Sequence, residues 1–209
     1  MNKIKAVIFD MDGVLIDARE WHYDSLNAAL RIFGTEISRY DHLITFDGLP
    51  TKMKLDMLSI EGGFPKGLHQ FVNELKQQYT LEIVYAKCKP VFQHQFALSK
   101  LKSDGYKMAV CSNSVRKSID IMMEKSGLSP YLDFFLSNQD VVKSKPDPEI
   151  YIKAMKMMKL KPEECLIVED NENGVKAALA SGAHLFKVES PDDVYYYNIR
   201  KRIDEIENA

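Results

Sequence analysis

The chain of 209 residues lacks an excess of either charge, because its 28 lysines and arginines nearly balance its 30 aspartates and glutamates. A broad nucleic-acid surface needs surplus positive charge, so we expect no nucleic-acid partner. Long hydrophobic runs are also lacking: no stretch approaches the roughly 18 apolar residues that a membrane span needs, and we expect no membrane partner. Since no cleavable secretory leader is recognisable, the expected location is cytoplasmic.

Cysteine is scarce as well. The chain has three cysteines, Cys88, Cys111 and Cys165, and no CxxC pair. So few and so scattered thiols exclude a disulfide framework and give no sign of a structural zinc site. Because free cysteines are usually buried, we predict that Cys111 and Cys165, which adjoin apolar runs, are reduced core residues.

Five short apolar runs indicate β-strands. They are Ala6–Phe9, Met108–Cys111, Phe134–Leu136, Leu166–Val168 and His184–Val188. Continuous apolar runs, as opposed to alternating ones, are typical of strands that are covered on both faces. Helical patterns lie between the runs, which predicts an α/β fold with a doubly wound parallel sheet.

Stripes of apolar residues mark the predicted helices of this fold, and we assign the methionine and phenylalanine stripes to the core. The stripes are Phe92, Phe96 and Leu101; Ile119, Met122 and Met123; Ile150, Met155 and Met158; and Val175, Ala178 and Leu179. The highly charged stretch from Asp192 onward is predicted to be a solvated terminal helix.

Residues 17–87 interrupt the alternation, because they show helical patterns and no convincing strand. The predicted helices cover residues 21–33, 52–60 and 68–79. We therefore predict a small α-helical domain at 17–87, inserted into an α/β core domain of residues 1–16 and 88–209.

Polar side chains collect where the predicted strands end. Asp10 and Asp12 follow one strand, Ser112 and Asn113 follow another, Lys145 lies in the loop after a third, and Glu169 and Asp170 follow a fourth. Ligands of parallel sheets bind at the carboxyl ends of the strands, so these residues are expected to converge. Converging carboxylates need a cation to offset their repulsion. No histidine or cysteine accompanies them, which favours Mg²⁺.

A carboxylate can act as a covalent nucleophile toward phosphorus and form an aspartyl phosphate. Lys145, the Ser112 hydroxyl, loop N–H groups and the cation would stabilise the transferring phosphoryl group. The Asp10 and Asp12 pair could divide the work between attack on phosphorus and acid–base catalysis at the leaving oxygen. Each residue alone has an ordinary explanation as a helix cap or a surface residue; the combination is difficult to explain structurally.

Four segments resemble the four motifs of the haloacid dehalogenase-like (HAD) hydrolases, in order along the chain. They are Asp10–Asp17, Ser112-Asn113, Lys145 within Lys-Pro-Asp-Pro, and Val168–Asn171. The resemblance is closest to the subgroup with a helical cap after the first motif, which contains β-phosphoglucomutase and many small-metabolite phosphatases. It implies a Rossmann-like HAD core with this cap inserted.

The resemblance also implies roles for the residues at the strand ends. Asp10 would be the nucleophile and a Mg²⁺ ligand, and Asp12 the general acid/base with its backbone carbonyl at the metal. Asp170 would be a further ligand, with Glu169 bound directly or through water. The phosphate binders would be Ser112, Asn113 and Lys145.

Within the insertion, His22 corresponds to a histidine that positions substrate in the mutase branch, or is simply a partly exposed helix residue. The loop with Asp47 and Gly48 corresponds to the specificity loop. In the mutase this loop carries Lys and Arg, which hold a second phosphate; here Asp47 and Thr51 stand in their places. Asp47 would repel a second anionic group and favour hydroxyl or ammonium groups, or it only caps the turn at Gly48.

We therefore predict a monomeric, Mg²⁺-dependent phosphatase that hydrolyses a small phosphorylated metabolite (a polyol, sugar or amino-alcohol phosphate) through an aspartyl phosphate. The alternative is a β-phosphoglucomutase-like sugar-phosphate mutase, which Asp47 and Thr51 disfavour. A receiver-type signalling domain is a weaker alternative, because such domains are much shorter. Asp12 disfavours dehalogenation, since a dehalogenase would not need it.

Overall fold

A computed structural model describes residues 3–208, and in them five strands form one parallel sheet in the order β3-β2-β1-β4-β5. The strands are β1 (Ala6–Phe9), β2 (Lys107–Cys111), β3 (Phe134–Leu136), β4 (Cys165–Glu169) and β5 (His184–Lys187). Phe9 of β1 pairs with Val110 on one side and with Val168 on the other. All four residues of β1 are fully buried, as continuous apolar strands covered on both faces require. The predicted α/β fold class is confirmed.

The helices are α1 (Arg19–Arg31), α2 (Arg39–Asp41), α3 (Thr51–Gly62), α4 (His69–Lys87), α5 (Phe92–Ser103), α6 (Arg116–Lys125), α7 (Glu149–Met158), α8 (Glu172–Ala180) and α9 (Tyr196–Glu207). A π-helical turn covers His42–Phe46, and short 3₁₀ turns cover Lys66–Leu68, Ser129–Tyr131, Asn138–Asp140, Pro162–Glu164 and Pro191–Asp193. Within the described part of the chain, no helix has both the length and the apolar character to span a bilayer.

Contacts between Cα atoms divide the chain into two compact units. One unit runs to Asp17 and resumes at Lys89, and it holds the sheet with α5–α9; the other, Ala18–Cys88, holds α1–α4. We propose that these units are the core domain and the inserted domain, whose sequence-predicted boundaries lie one residue earlier.

The core of the sheet unit is formed by strand residues and by the inner faces of the helices. Ile119, Met122 and Met155 are buried as predicted, and the three cysteines are free and buried. The prediction for Phe92 and Phe96 was wrong, because they are 80% and 40% exposed. Leu101 of the same predicted stripe is fully buried, and the rest of the buried side of α5 consists of His94, Ala97 and Leu98.

Helix α8 buries the small residues Gly174, Ala177 and Ala178, and Leu179 is 60% exposed. One further prediction in this unit was wrong, because the charged C-terminal helix α9 is more than a solvated helix. Ile199 and Ile203 on α9 are fully buried, and they anchor the helix to the sheet unit.

The helical unit has an apolar core of its own. Leu30 from α1, Leu55 from α3 and Val72 from α4 are buried in one cluster with five other buried residues, Leu26, Ala29, Ile37, Phe46 and Phe64. The side chain of Asn27 donates to the carbonyl of Ile37 and accepts from its N–H, at 2.9 and 2.8 Å, which satisfies a buried loop backbone. Helix α4 continues to Lys87, eight residues beyond its predicted end.

Candidate active site

Three carboxylates meet at the carboxyl ends of β1 and β4. Asp10 directly follows β1, and its backbone N–H donates to the carbonyl of Val168 at 2.9 Å. Glu169 ends β4, and Asp170 follows it. The strand order reverses between these two strands, which is where ligands of doubly wound sheets bind. One carboxylate oxygen from each of Asp10, Glu169 and Asp170 lies within 4.8 Å of the others.

A tight turn after Asp10 brings the first segment beside Asp170. The carbonyl of Met11 accepts from the N–H of Ile16 at 2.9 Å, and the N–H of Gly13 donates to the carbonyl of Ile16 at 2.7 Å. Gly13 has a φ of +92°, and a Cβ there would lie 2.1 Å from Asp170 Oδ2. Glycine is required both for this backbone conformation and for the close approach of the carboxylate.

Asp12 is not part of the three-carboxylate group. Its Oδ2 accepts from the hydroxyls of Ser114 at 2.8 Å and Ser112 at 3.4 Å, in the segment that follows β2. Ser112 is buried, and its N–H donates to the carbonyl of Leu136 at 3.0 Å. Two serines therefore hold the Asp12 carboxylate. The contribution of Ser114 to this site was not predicted from the sequence.

Lys145 is the cation at the centre of the group. It is 3% exposed, and its Nζ lies 2.6 Å from both Asp10 Oδ1 and Glu169 Oε1. Asn113 holds the backbone of Lys145, since Asn113 Oδ1 accepts from its N–H at 3.1 Å and Nδ2 donates to its carbonyl at 3.3 Å. Both ends of the Asn113 amide thus engage the loop that carries Lys145, and that Asn113 binds phosphate remains a prediction.

Glu169 is fixed by neighbours on several sides. Tyr151 from α7 donates its hydroxyl to Glu169 Oε1, and the N–H of Asp170 donates to Oε2 at 3.2 Å. A Cβ at Gly174 would lie 1.9 Å from Oε1, so α8 leaves room for the carboxylate only because this residue is glycine. Tyr151 was not predicted from the sequence. The available signal was its place in the buried face of a helix, because a buried tyrosine needs a partner for its hydroxyl.

The electrostatics of the group favour a bound cation. Burial raises the pKa of Asp10 well above its ordinary value, Lys145 opposes this, and Glu169, Asp170 and Asp12 raise it further. Burial alone would lower the pKa of Lys145, but Asp10 and Glu169 outweigh it and keep the ammonium charged. Three carboxylates thus face one ammonium, and an all-oxygen donor set with surplus negative charge fits a hard divalent cation.

The three residues predicted to bind substrate within the insertion lie in the helical unit, and two of them contact cationic side chains. His22 Nδ1 lies 3.1 Å from the Nζ of Lys76. Asp47 Oδ2 lies 3.1 Å from Arg19 Nε, and Gly48 has a φ of +70°. The sequence does not indicate these contacts, because the partners are 54 and 28 residues apart along the chain.

The ion pair with Arg19 changes the interpretation of Asp47. The predicted preference for hydroxyl or ammonium groups assumed a carboxylate whose charge is not offset, and Arg19 offsets it. The helical unit also contains two buried lysines, Lys54 and Lys76, each 7% exposed. That His22, Asp47 and Gly48 bind substrate remains a prediction.

Comparison with known proteins agrees with this geometry. Residues 7–188 match the family profile of the haloacid dehalogenase-like hydrolases. A phosphorylated carbohydrates phosphatase from Thermotoga maritima is 28% identical over 86% of this chain and 82% of its own. The pyrophosphatase PpaX from Bacillus cereus is 27% identical over 86% and 81%. The crystal structure of a β-phosphoglucomutase from Clostridium difficile superimposes with a TM-score of 0.85, at 21% identity, over 99% and 100% of the two chains.

The chain belongs to the haloacid dehalogenase-like hydrolases. It is thus a hydrolase, as predicted, and the phosphatase names of its relatives support the phosphatase class. The structural likeness to the mutase concerns the fold alone, because the two sequences are only 21% identical.

Proposed function

We propose that the protein is a Mg²⁺-dependent phosphatase that hydrolyses a phosphate monoester of a small metabolite through an aspartyl phosphate. The observation that carries the proposal is Asp10, a buried carboxylate held by Lys145 among two further carboxylates at the switch point of the sheet. Among substrates, a phosphorylated carbohydrate has the most direct support, from the Thermotoga maritima relative. Monomeric state and cytoplasmic location are further parts of the proposal that rest on sequence alone.

Asp10 and Asp170 would hold the cation, with Glu169 beside them and the backbone carbonyl of Asp12 as the family resemblance implies. When bound, Mg²⁺ supplies positive charge to the non-bridging oxygens of the phosphoryl group and favours the ionised form of Asp10. Lys145 supplies a second positive charge within hydrogen-bond distance of Asp10.

Asp10 attacks phosphorus, the ester P–O bond breaks, and the alcohol leaves with a proton from Asp12. Asp12 then takes a proton from the water that attacks the aspartyl phosphate, and the carboxylate of Asp10 is released with inorganic phosphate. Ser112 and Ser114 serve this cycle by fixing one oxygen of Asp12. An orientation set by two hydroxyls aims the proton donor at the leaving oxygen.

The test is phosphate release from a panel of phosphate monoesters, with Mg²⁺ or with EDTA. We expect turnover only with Mg²⁺, and a higher Mg²⁺ requirement or no activity in Asp170→Ala. Asp120→Ala, at an exposed position of α6, is the matched control and should behave as wild type. Full activity of the exhaustively dialysed enzyme in EDTA would refute the Mg²⁺-dependent mechanism.

The same panel decides the substrate class. It should contain sugar, polyol and amino-alcohol phosphates, with pyrophosphate included because of the PpaX relatives. A parallel reaction with β-glucose 1-phosphate and a bisphosphate primer tests the mutase alternative. We expect release of inorganic phosphate and no glucose 6-phosphate; rapid formation of glucose 6-phosphate would replace the phosphatase proposal by the mutase.

A further inference from the structure

Tyr151 contacts both charges of the buried ion pair without carrying a charge itself. It lies on α7 and is fully buried. Its hydroxyl donates to Glu169 Oε1, and the Nζ of Lys145 lies over its ring, 4.8 Å from the centroid. An aromatic face attracts an ammonium, so the ring and the hydroxyl act on the two partners in a complementary way.

The hydroxyl matters because Glu169 and Asp10 share one ammonium. Lys145 Nζ is equally distant from the two carboxylates, at 2.6 Å. The hydrogen bond from the Tyr151 hydroxyl stabilises the negative charge on Glu169 Oε1, the same oxygen that Lys145 contacts. Without this hydrogen bond, Lys145 Nζ would interact more strongly with Glu169 and less strongly with Asp10.

We propose that Tyr151 is a positioning residue of this site. Its hydroxyl and ring hold Lys145 midway between Glu169 and Asp10, so that the ammonium stabilises the phosphoryl group at Asp10. The link to the phosphoryl group rests on the proposed function; the placement of Lys145 does not.

The proposal predicts that Tyr151→Phe weakens the binding of one ligand and not that of another. Inorganic phosphate should bind about tenfold more weakly, the lower end of what one hydrogen bond to a charged group contributes. Mg²⁺, titrated alone by calorimetry, should bind no more weakly than in wild type, because Asp10 is then less neutralised by Lys145. Loss of structure would instead weaken both ligands together.

A third measurement needs neither ligand nor turnover. In protein with isotopically labelled lysine, the ammonium protons of Lys145 should give a protected NMR signal, which is assigned by its loss in Lys145→Met. Tyr151→Phe should shift this signal or expose it to exchange. The matched control is Tyr106→Phe, which removes another largely buried hydroxyl, one that contacts Arg200 away from the site. It should change none of the three measurements.

The outcomes separate the two proposals. A wild-type enzyme without Mg²⁺-dependent turnover refutes the proposed function, while the ammonium signal still tests the placement of Lys145. An unchanged signal in Tyr151→Phe, equal weakening of phosphate and Mg²⁺, or no change in phosphate affinity would overturn the role of Tyr151.

Discussion

Asp10→Asn should abolish turnover and at the same time stabilise the metal-free protein. The amide cannot form an aspartyl phosphate, so activity is lost. The oxygen of the asparagine side chain can still accept the hydrogen bond from Lys145, and Glu169 remains the counter-ion of Lys145. The substitution therefore removes a buried charge without leaving another charge uncompensated.

The size of the effect follows from the distances in the site. Glu169 and Asp170, within 4.8 Å of Asp10, each repel its charge by at least about 3.5 kcal/mol at an effective dielectric constant of ~20. Lys145 at 2.6 Å attracts it by about 6 kcal/mol on the same basis. These contributions nearly cancel, so desolvation of the ionised carboxylate decides whether the substitution stabilises or destabilises the fold. We expect the free energy of unfolding of Asp10→Asn to be higher than that of wild type by on the order of 2 kcal/mol. This difference raises Tm by about 4–8 °C for a chain of this size.

Thermal unfolding of the metal-free proteins in EDTA measures this gain. Because the folded-state pKa of Asp10 lies above its unfolded value, wild type loses stability as the pH rises through the folded pKa. The advantage of the variant should therefore grow as the pH rises through the folded pKa of Asp10 and shrink on acidification. Saturating Mg²⁺ should stabilise wild type more than the variant. A stability difference between the metal-free variant and wild type that does not increase with pH would refute this reasoning.

Two further predictions concern other positions. Gly174→Ala should displace Glu169, because the new Cβ would lie 1.9 Å from Oε1. We expect phosphate release to fall at least about tenfold. Gly62→Ala, at a helical position where a Cβ would meet nothing within 4 Å, should leave phosphate release unchanged. For Asp140, partial burial raises the pKa, but hydrogen bonds from Ser137 outweigh it and the pKa is lowered. Asp140→Asn should lower the free energy of unfolding, measured with urea, by about 1 kcal/mol at neutral pH. The difference from wild type should disappear as the pH falls through the folded pKa of Asp140. A difference that does not depend on pH would contradict this prediction.

The five strands follow from the sequence alone, as do most of the residues proposed for the site; Ser114 and Tyr151 do not. A strand covered on both faces must be continuously apolar, so Ala6–Phe9 and Leu166–Val168 are recognisable without knowledge of their neighbours. Polar residues directly after such runs come together because parallel strands end at one edge of the sheet. The sequence therefore predicts that Asp10, Lys145 and Glu169 lie in one group, and the three side chains do meet in the structure.

Only the tertiary structure decided how these side chains are held. The contacts of Asn113 with the Lys145 backbone, of Tyr151 with Glu169, and of Arg19 with Asp47 join residues 32, 18 and 28 positions apart. Such pairings depend on how helices and loops dock, and no local pattern encodes them. The exposure of Phe92 has the same origin. Periodicity shows that a helix has an apolar stripe, but the packing of the neighbouring elements determines which part of that stripe is covered.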